Sequence, residues 1–279
     1  CNYCSFVSHS IERAKKLIPT YIELLIREIE YVAPIVKELG LRLETVYFGG
    51  GTPTSITSQQ LEAIICAIER NFDLSHLREY TVEAGRPDVF SEEKLALLKE
   101  YGVTRICINP QSFSDETLIK IGRKHTETDV YRAFELSEKY GFDINVDLIA
   151  GLTDETPETF ACNVEKAVKT GAENITVHCL SLKSGAKLKE EINYLENDFI
   201  STMVASSREI LSRNGYVPYY MYRQKYQVGN NENVGWTKPG KACIYNIDIM
   251  EETADNLAVG ANAVSKRVYT EKGLIERFA

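Results

Sequence analysis

Apolar positions follow two alternating rhythms as far as Gly215. Where they recur every three or four residues they predict helices; where short apolar runs are bounded by turn residues they predict strands. Leu17, Ile18, Tyr21, Leu24, Leu25, Ile29, Val32, Ile35 and Val36 keep helical spacing within 10–40, and Gly40 provides a C-terminal stop. Strands are expected over 44–48, 80–83, 105–109, 144–149 and 174–180. Between and after them the pattern places helices over 58–71, from Ser91, from Ser114, over 127–140, from Thr156 and over 198–214. Strand and helix alternate throughout, which is the signature of a parallel sheet covered by helices. Periodicity alone allows either an open doubly wound sheet or a complete or partial (β/α) barrel.

Beyond Gly215 the character changes. Tyr216-Val217-Pro218-Tyr219-Tyr220-Met221-Tyr222 is rich in aromatics, Lys238-Pro239-Gly240-Lys241 reads as a turn, and 246–252 reads as a strand. The last ~12 residues suit a hairpin or a cut segment. The expected division is a core over 1–215 and a C-terminal extension over 216–279 packing on one end of the sheet.

Composition narrows the class. The 279 residues are 44% hydrophobic and 26% charged, as in ordinary globular proteins. No run approaches the ~20 apolar residues of a membrane helix, so no membrane span is expected. A net charge of -8 without a basic, aromatic-interleaved stripe argues against nucleic acid as a partner. The seven cysteines are odd in number and mostly isolated in apolar segments, so a reducing, cytoplasmic setting is expected. Cys66 and Cys107 are expected to be buried small hydrophobes.

Candidate chemistry gathers where strands end. The first strand runs into Gly49-Gly50-Gly51-Thr52-Pro53. Three residues without Cβ let the backbone turn sharply and approach a ligand, and Pro53 stops further pairing. In parallel α/β folds ligands bind at the carboxyl edge of the sheet. The next strands end in Glu83, in Asn109 and Gln111, in Asp147, and in His178 with Cys179. One such polar group is ordinary; four consecutive strands ending so point to a polar ligand. Arg123, beyond the short helix, could pair a ligand carboxylate. Cys1-Asn2-Tyr3-Cys4 is a C-x-x-C compatible with half a zinc knuckle, a redox dithiol, or part of a three-cysteine iron–sulfur site.

Together, Cys1-x-x-Cys4 with Tyr3 and Phe6, followed by Gly49-Gly50-Gly51-Thr52-Pro53, resemble the radical S-adenosylmethionine (SAM) enzymes. More narrowly they resemble the oxygen-independent coproporphyrinogen III oxidases and dehydrogenases, over roughly Cys1 to Ala263. The family motif is C-x-x-x-C-x-[YF]-C, so Cys1 and Cys4 match its second and third cysteines. The resemblance places the first cysteine, and the first barrel strand, upstream of Cys1. It implies a partial (β/α)6 barrel of TIM type. It implies that Cys1 and Cys4 ligate a [4Fe-4S] cluster and that Tyr3 packs near the adenine of SAM. Gly50, Gly51 and Thr52 would contact its methionine part, Glu83 its ribose and Arg123 its carboxylate. Gln111 and Asp147 match positions that help hold a second SAM, and Cys179 one whose backbone meets adenine.

The implied reaction splits SAM reductively to a 5′-deoxyadenosyl radical. That radical starts the decarboxylation of two propionates of coproporphyrinogen III to vinyl groups, giving protoporphyrinogen IX. A tetrapyrrole substrate and a flavodoxin- or ferredoxin-type electron donor follow from the resemblance. Phe6 stands where the founding enzymes have a further cysteine, a feature shared with a heme-chaperone branch. Those chaperones carry a His-Asn-x-x-Tyr-Trp motif after Lys-Pro-Gly; here Lys238-Pro239-Gly240 is followed by Tyr245-Asn246-Ile247-Asp248-Ile249-Met250, without the heme-ligating His. Thr81-Val82-Glu83-Ala84-Gly85-Arg86-Pro87 and Tyr219-Tyr220-Met221-Tyr222-Arg223-Gln224 resemble the Firmicute-type, HemZ-like dehydrogenase branch. Heme binding and delivery on the same scaffold is the alternative expectation.

Overall fold

The structure, a computed structural model, describes residues 1–4, 14–181, 197–224 and 231–279. Five parallel strands lie side by side in chain order: β1 (Thr45–Phe48), β2 (Glu79–Gly85), β3 (Arg105–Gln111), β4 (Asp143–Ala150) and β5 (Asn174–Cys179). Helices α1 (Ile18–Glu38), α2 (Ser58–Asn71), α3 (Glu92–Glu100), α4 (Asp115–Lys120), α5 (Glu127–Glu138), α6 (Pro157–Lys169) and α7 (Asn197–Arg213) precede, link and follow them. The sheet curls into a partial barrel with the helices outside.

Local sequence explains the helix starts. Thr57 with Gln60, Thr126 with Asp129 and Thr156 with Thr159 form reciprocal side-chain caps on α2, α5 and α6. Ser91 and Ser114 accept from Lys94 and Thr117 N–H groups at the starts of α3 and α4. Strand alternation explains the layers. Tyr80, Val82, Ile106, Ile108, Val146, Leu148, Ile175 and Val177 pack with Leu61, Ile65, Leu95, Val130, Phe160 and Val164 in one apolar core. Each fully buried aliphatic chain there contributes roughly 1.5–3 kcal/mol. The alternate positions give the other sheet face a polar lining: Glu79, Thr81 and Glu83; Arg105, Cys107 and Asn109; Asn145 and Asp147; Asn174, Thr176 and His178.

The sheet does not end at β5. Strands β6 (Val217–Tyr222) and β7 (Asn233–Thr237) extend it in the order β5-β7-β6, with β7 antiparallel to both neighbours. Residues just past Gly215 therefore complete the sheet edge. Tyr220 lies flat over Gly235, where a Cβ would overlap its ring. The segment expected as a strand over 246–252 is instead helix α8 (Ile244–Met250). The Glu79 carboxylate accepts from the Ile244 and Tyr245 N–H groups at 3.0 and 3.1 Å, capping this first turn and overriding the β-branched composition. The final segment is a hairpin of β8 (Ser265–Tyr269) and β9 (Leu274–Phe278), turned at Gly273 with φ 58°. Among the described residues no helix is long and apolar enough to cross a membrane.

One end of the polar lining is closed by the chain itself. Buried Arg105 pairs with buried Glu79 at 3.1 Å, donates to Asn145 Oδ1 at 2.9 Å, and reaches the Lys241 carbonyl at 3.0 Å. Asn174 Nδ2 donates to the same carbonyl at 2.7 Å, and Lys241 Nζ pairs with Asp143 at 2.7 Å. The segment 241–245, which leads into α8, is thus keyed to the amino-terminal ends of four strands, opposite the glycine turn.

Candidate functional site

At the carboxyl ends of the strands the polar lining opens upward. β1 passes into the glycine turn, with Gly50 at φ 114°. A Cβ built on Gly50 or Gly51 would meet no atom within 4 Å, whereas one on Gly49 would lie 2.7 Å from Tyr47 Cε1. Thr54 Oγ1 donates to the Ala84 carbonyl at 2.9 Å and ties the turn to β2. The turn presents open backbone at Gly50 and Gly51, with Thr52 beside them.

Glu83 sits under this turn. Its Oε1 accepts from the Tyr47 hydroxyl at 2.6 Å, and the Gly50 N–H supports the carboxylate from above. Burial pushes the Glu83 carboxyl up to about 7; the Tyr47 bond pulls it down, and the Asp147 charge pushes it up again. Burial also holds the Tyr47 hydroxyl firmly protonated, with Cys107 and Glu83 adding to the effect. Asp147, on β4, lies 3.6 Å from His178 Nε2, and His178 Nδ1 meets the Tyr222 hydroxyl at 3.1 Å. Burial, then the Asp147 charge, pushes the Tyr222 phenol up to about 12.

The amino-terminal motif docks on the neighbouring part of the same edge. The Asn2 N–H donates to the Ile121 carbonyl at 2.9 Å and Asn2 Nδ2 to the Lys120 carbonyl at 3.1 Å. The Tyr3 ring packs on Leu118, Ile121, Ile149, Leu152 and Leu180. Arg123 donates from Nη2 to the Tyr3 hydroxyl at 2.9 Å and from Nη1 to the Asn109 carbonyl at 3.2 Å. Arg123 Nε and Asn109 Oδ1 are buried without a protein partner, a donor and an acceptor suited to a polar ligand. Gln111 ends β3 in a left-handed conformation, φ 71°. Behind it Ser112, Asn163 and Glu155 form a buried network, with Ser112 Oγ 2.5 Å from Glu155 Oε1.

The sequence-predicted residues therefore fall into two adjoining groups. Gly50, Gly51, Thr52, Glu83 and Asp147 form one, and Cys1, Tyr3, Cys4, Gln111 and Arg123 adjoin it across β3. Cys179 differs: its side chain lies in the helix-side core and its N–H donates to Asn233 Oδ1 at 2.7 Å. Cys107 is buried; Cys66 is half-buried, its sulfur 3.3 Å from the Tyr101 hydroxyl. Sequence reasoning missed Tyr47, Tyr222 and Tyr245. Alternation in β1 signals that Tyr47 faces Glu83, but nothing local signals that Tyr245 stacks on Tyr47, ring centroids 4.0 Å apart.

Cys1 and Cys4 offer soft thiolates, the ligand type of iron–sulfur clusters. Among the described residues no three metal-ligating side chains converge. The glycine cradle and the unpartnered Arg123 Nε and Asn109 Oδ1 fit the amino-acid and nucleoside parts of SAM.

A curled parallel sheet with a glycine turn after its first described strand and a C-x-x-C docked at its carboxyl edge defines a class. The chain belongs to the radical SAM superfamily, which it matches over residues 1–165, and whose cofactors are a [4Fe-4S] cluster and SAM. It is 40% identical, over its whole length, to the oxygen-independent coproporphyrinogen-III oxidase-like protein HemZ of Bacillus subtilis, and spans 57% of that protein. It is 35% identical over 225 residues to the heme chaperone HemW of Lactococcus lactis, covering 78% of this chain and 57% of that one. The structure of coproporphyrinogen III oxidase (HemN) from Escherichia coli superposes with a TM-score of 0.78 at 20% identity, covering 95% of this chain and 61% of that one, which shows a shared fold.

Proposed function

We propose that this chain is the radical SAM core of an oxygen-independent coproporphyrinogen III dehydrogenase, converting two propionate side chains to vinyl groups. Each conversion removes one hydrogen atom and one electron from the propionate and releases carbon dioxide; the electron passes to a one-electron acceptor. When bound, the cluster and SAM supply the hydrogen-atom acceptor. Cys1 and Cys4 ligate the cluster, and Tyr3 packs against adenine. Gly50, Gly51 and Thr52 hold the methionine part, Arg123 its carboxylate and Glu83 the ribose. Gln111 and Asp147 help hold a second SAM, and the Cys179 backbone meets adenine. A reduced flavodoxin- or ferredoxin-type protein supplies the electron.

The observation that carries this reading is residue 245. It occupies the position where the chaperone branch carries its heme-ligating His. Here it is a Tyr, stacked on Tyr47, its hydroxyl held protonated by burial and by the Glu83 charge. A neutral, stacked phenol is a poor iron ligand. The identity to HemZ over the whole chain points the same way. The similarity to HemW keeps heme delivery as the competing reading. The test is anaerobic incubation of the full-length, cluster-reconstituted protein with SAM, reductant and coproporphyrinogen III. Protoporphyrinogen IX with 5′-deoxyadenosine supports the proposal. A stoichiometric heme complex without SAM cleavage overturns it.

A further inference from the structure

Glu83 is held from below as well as from the glycine turn. Tyr47 donates to it at 2.6 Å, and the Tyr47 ring is itself fixed on both sides. Gly49 lies against one part of the ring so closely that a Cβ would collide with it. Tyr245 stacks on its face at 4.0 Å with an interplanar angle of 19°. Tyr245 cannot drift, because its own N–H is bonded to Glu79 Oε1 at 3.1 Å, and Glu79 is paired with Arg105 at the closed end of the barrel. A continuous line of contacts thus runs from the buried ion pair through two aromatic rings to one carboxylate at the open end.

We infer that Tyr47 and Tyr245 are positioning residues of the nucleoside site, orienting the Glu83 carboxylate to receive ribose hydroxyls, with the first turn of α8 supporting that site from the closed end. This rests on the SAM reading above. Tyr47 occupies Oε1, and the Gly50 N–H bonds the same carboxylate, so the group is fixed between β1 and the glycine turn. The charged and titratable groups facing Glu83 are Tyr47 from β1, Cys107 from β3, Asp147 from β4 and Tyr245 from α8. Of these, the Tyr47 hydroxyl bond favours the ionised carboxylate.

The test is calorimetric titration of the full-length, anaerobically reconstituted protein with S-adenosylhomocysteine and, separately, with methionine. Tyr47→Phe keeps the ring, its stacking and its packing on Gly49, and deletes only the hydroxyl. It should weaken S-adenosylhomocysteine roughly tenfold, the scale of one hydrogen bond to a charged group, and leave methionine binding unchanged. The fall in nucleoside affinity on acidification should also begin at higher pH, since the carboxyl loses the bond that held it ionised. Tyr245→Leu should act in the same direction with the hydroxyl of Tyr47 still present. Unchanged nucleoside affinity in Tyr47→Phe, or an equal loss for methionine, overturns the inference alone. Failure of S-adenosylhomocysteine to bind the unaltered protein overturns the SAM reading and the inference with it.

Discussion

The Arg123 guanidinium donates to the Tyr3 hydroxyl at 2.9 Å, joining the C-x-x-C segment to a side chain 120 residues away. The same guanidinium holds the Asn109 carbonyl and keeps its Nε without a protein partner. On the proposed role of Arg123, Arg123→Met should weaken SAM binding by about tenfold or more through loss of a charge-assisted carboxylate contact. Tyr3→Phe should cost less, because the ring stays packed. Equilibrium binding of SAM to the reconstituted protein checks the order of the two effects.

The three glycines make unequal demands. Gly49→Ala should displace the Tyr47 ring and lower both stability and SAM affinity, since its Cβ would fall 2.7 Å from a ring carbon. At Gly50, φ is 114°, so any side chain is strained there. Gly51→Ala meets open space and should leave the melting temperature nearly unchanged while obstructing the ligand. Thermal unfolding with and without SAM separates these outcomes.

At the closed end, Arg105→Leu would leave Glu79 buried and unpaired. Such a loss costs on the order of 3–5 kcal/mol, and urea unfolding should register it. Because Glu79 also caps α8, the variant should lose the order of 241–250 first, seen as faster proteolysis in that segment.

Glu155 gives a pH signature. Burial pushes its carboxyl up to about 7, against hydrogen bonds from Ser112 and Asn163 that pull it down. A carboxyl whose folded value is raised binds its proton more tightly in the native state. The contribution of Glu155 to stability is therefore greatest at acidic pH and is lost as pH rises from the ordinary carboxyl value toward about 7. Glu83 contributes with the same sign. Glu155→Gln should flatten part of this slope and raise the melting temperature above neutral pH, measured by calorimetry across the neutral range.

Much of this arrangement was legible in the chain. The helix starts at Ser91, Ser114 and Thr156 and the apolar runs between them located helices and strands, because those signals are local. Glu83, Asp147 and the glycine turn stood out because polar groups rarely end parallel strands without a reason. The strands β6 and β7 did not stand out as sheet members, since their partners are remote and their aromatics suit a surface layer as well as an edge. Helix α8 was misread as a strand because its cap, Glu79, lies 165 residues from Ile244. Tyr47 was visible as a strand residue, but its role depends on Tyr245, a pairing that no local pattern encodes.

Lys241, Ala242 and Cys243 tie the amino-terminal ends of four strands together through one segment remote in the chain. Those strand ends and the first turn of α8 should therefore open as one cooperative unit, visible as shared protection in amide hydrogen exchange.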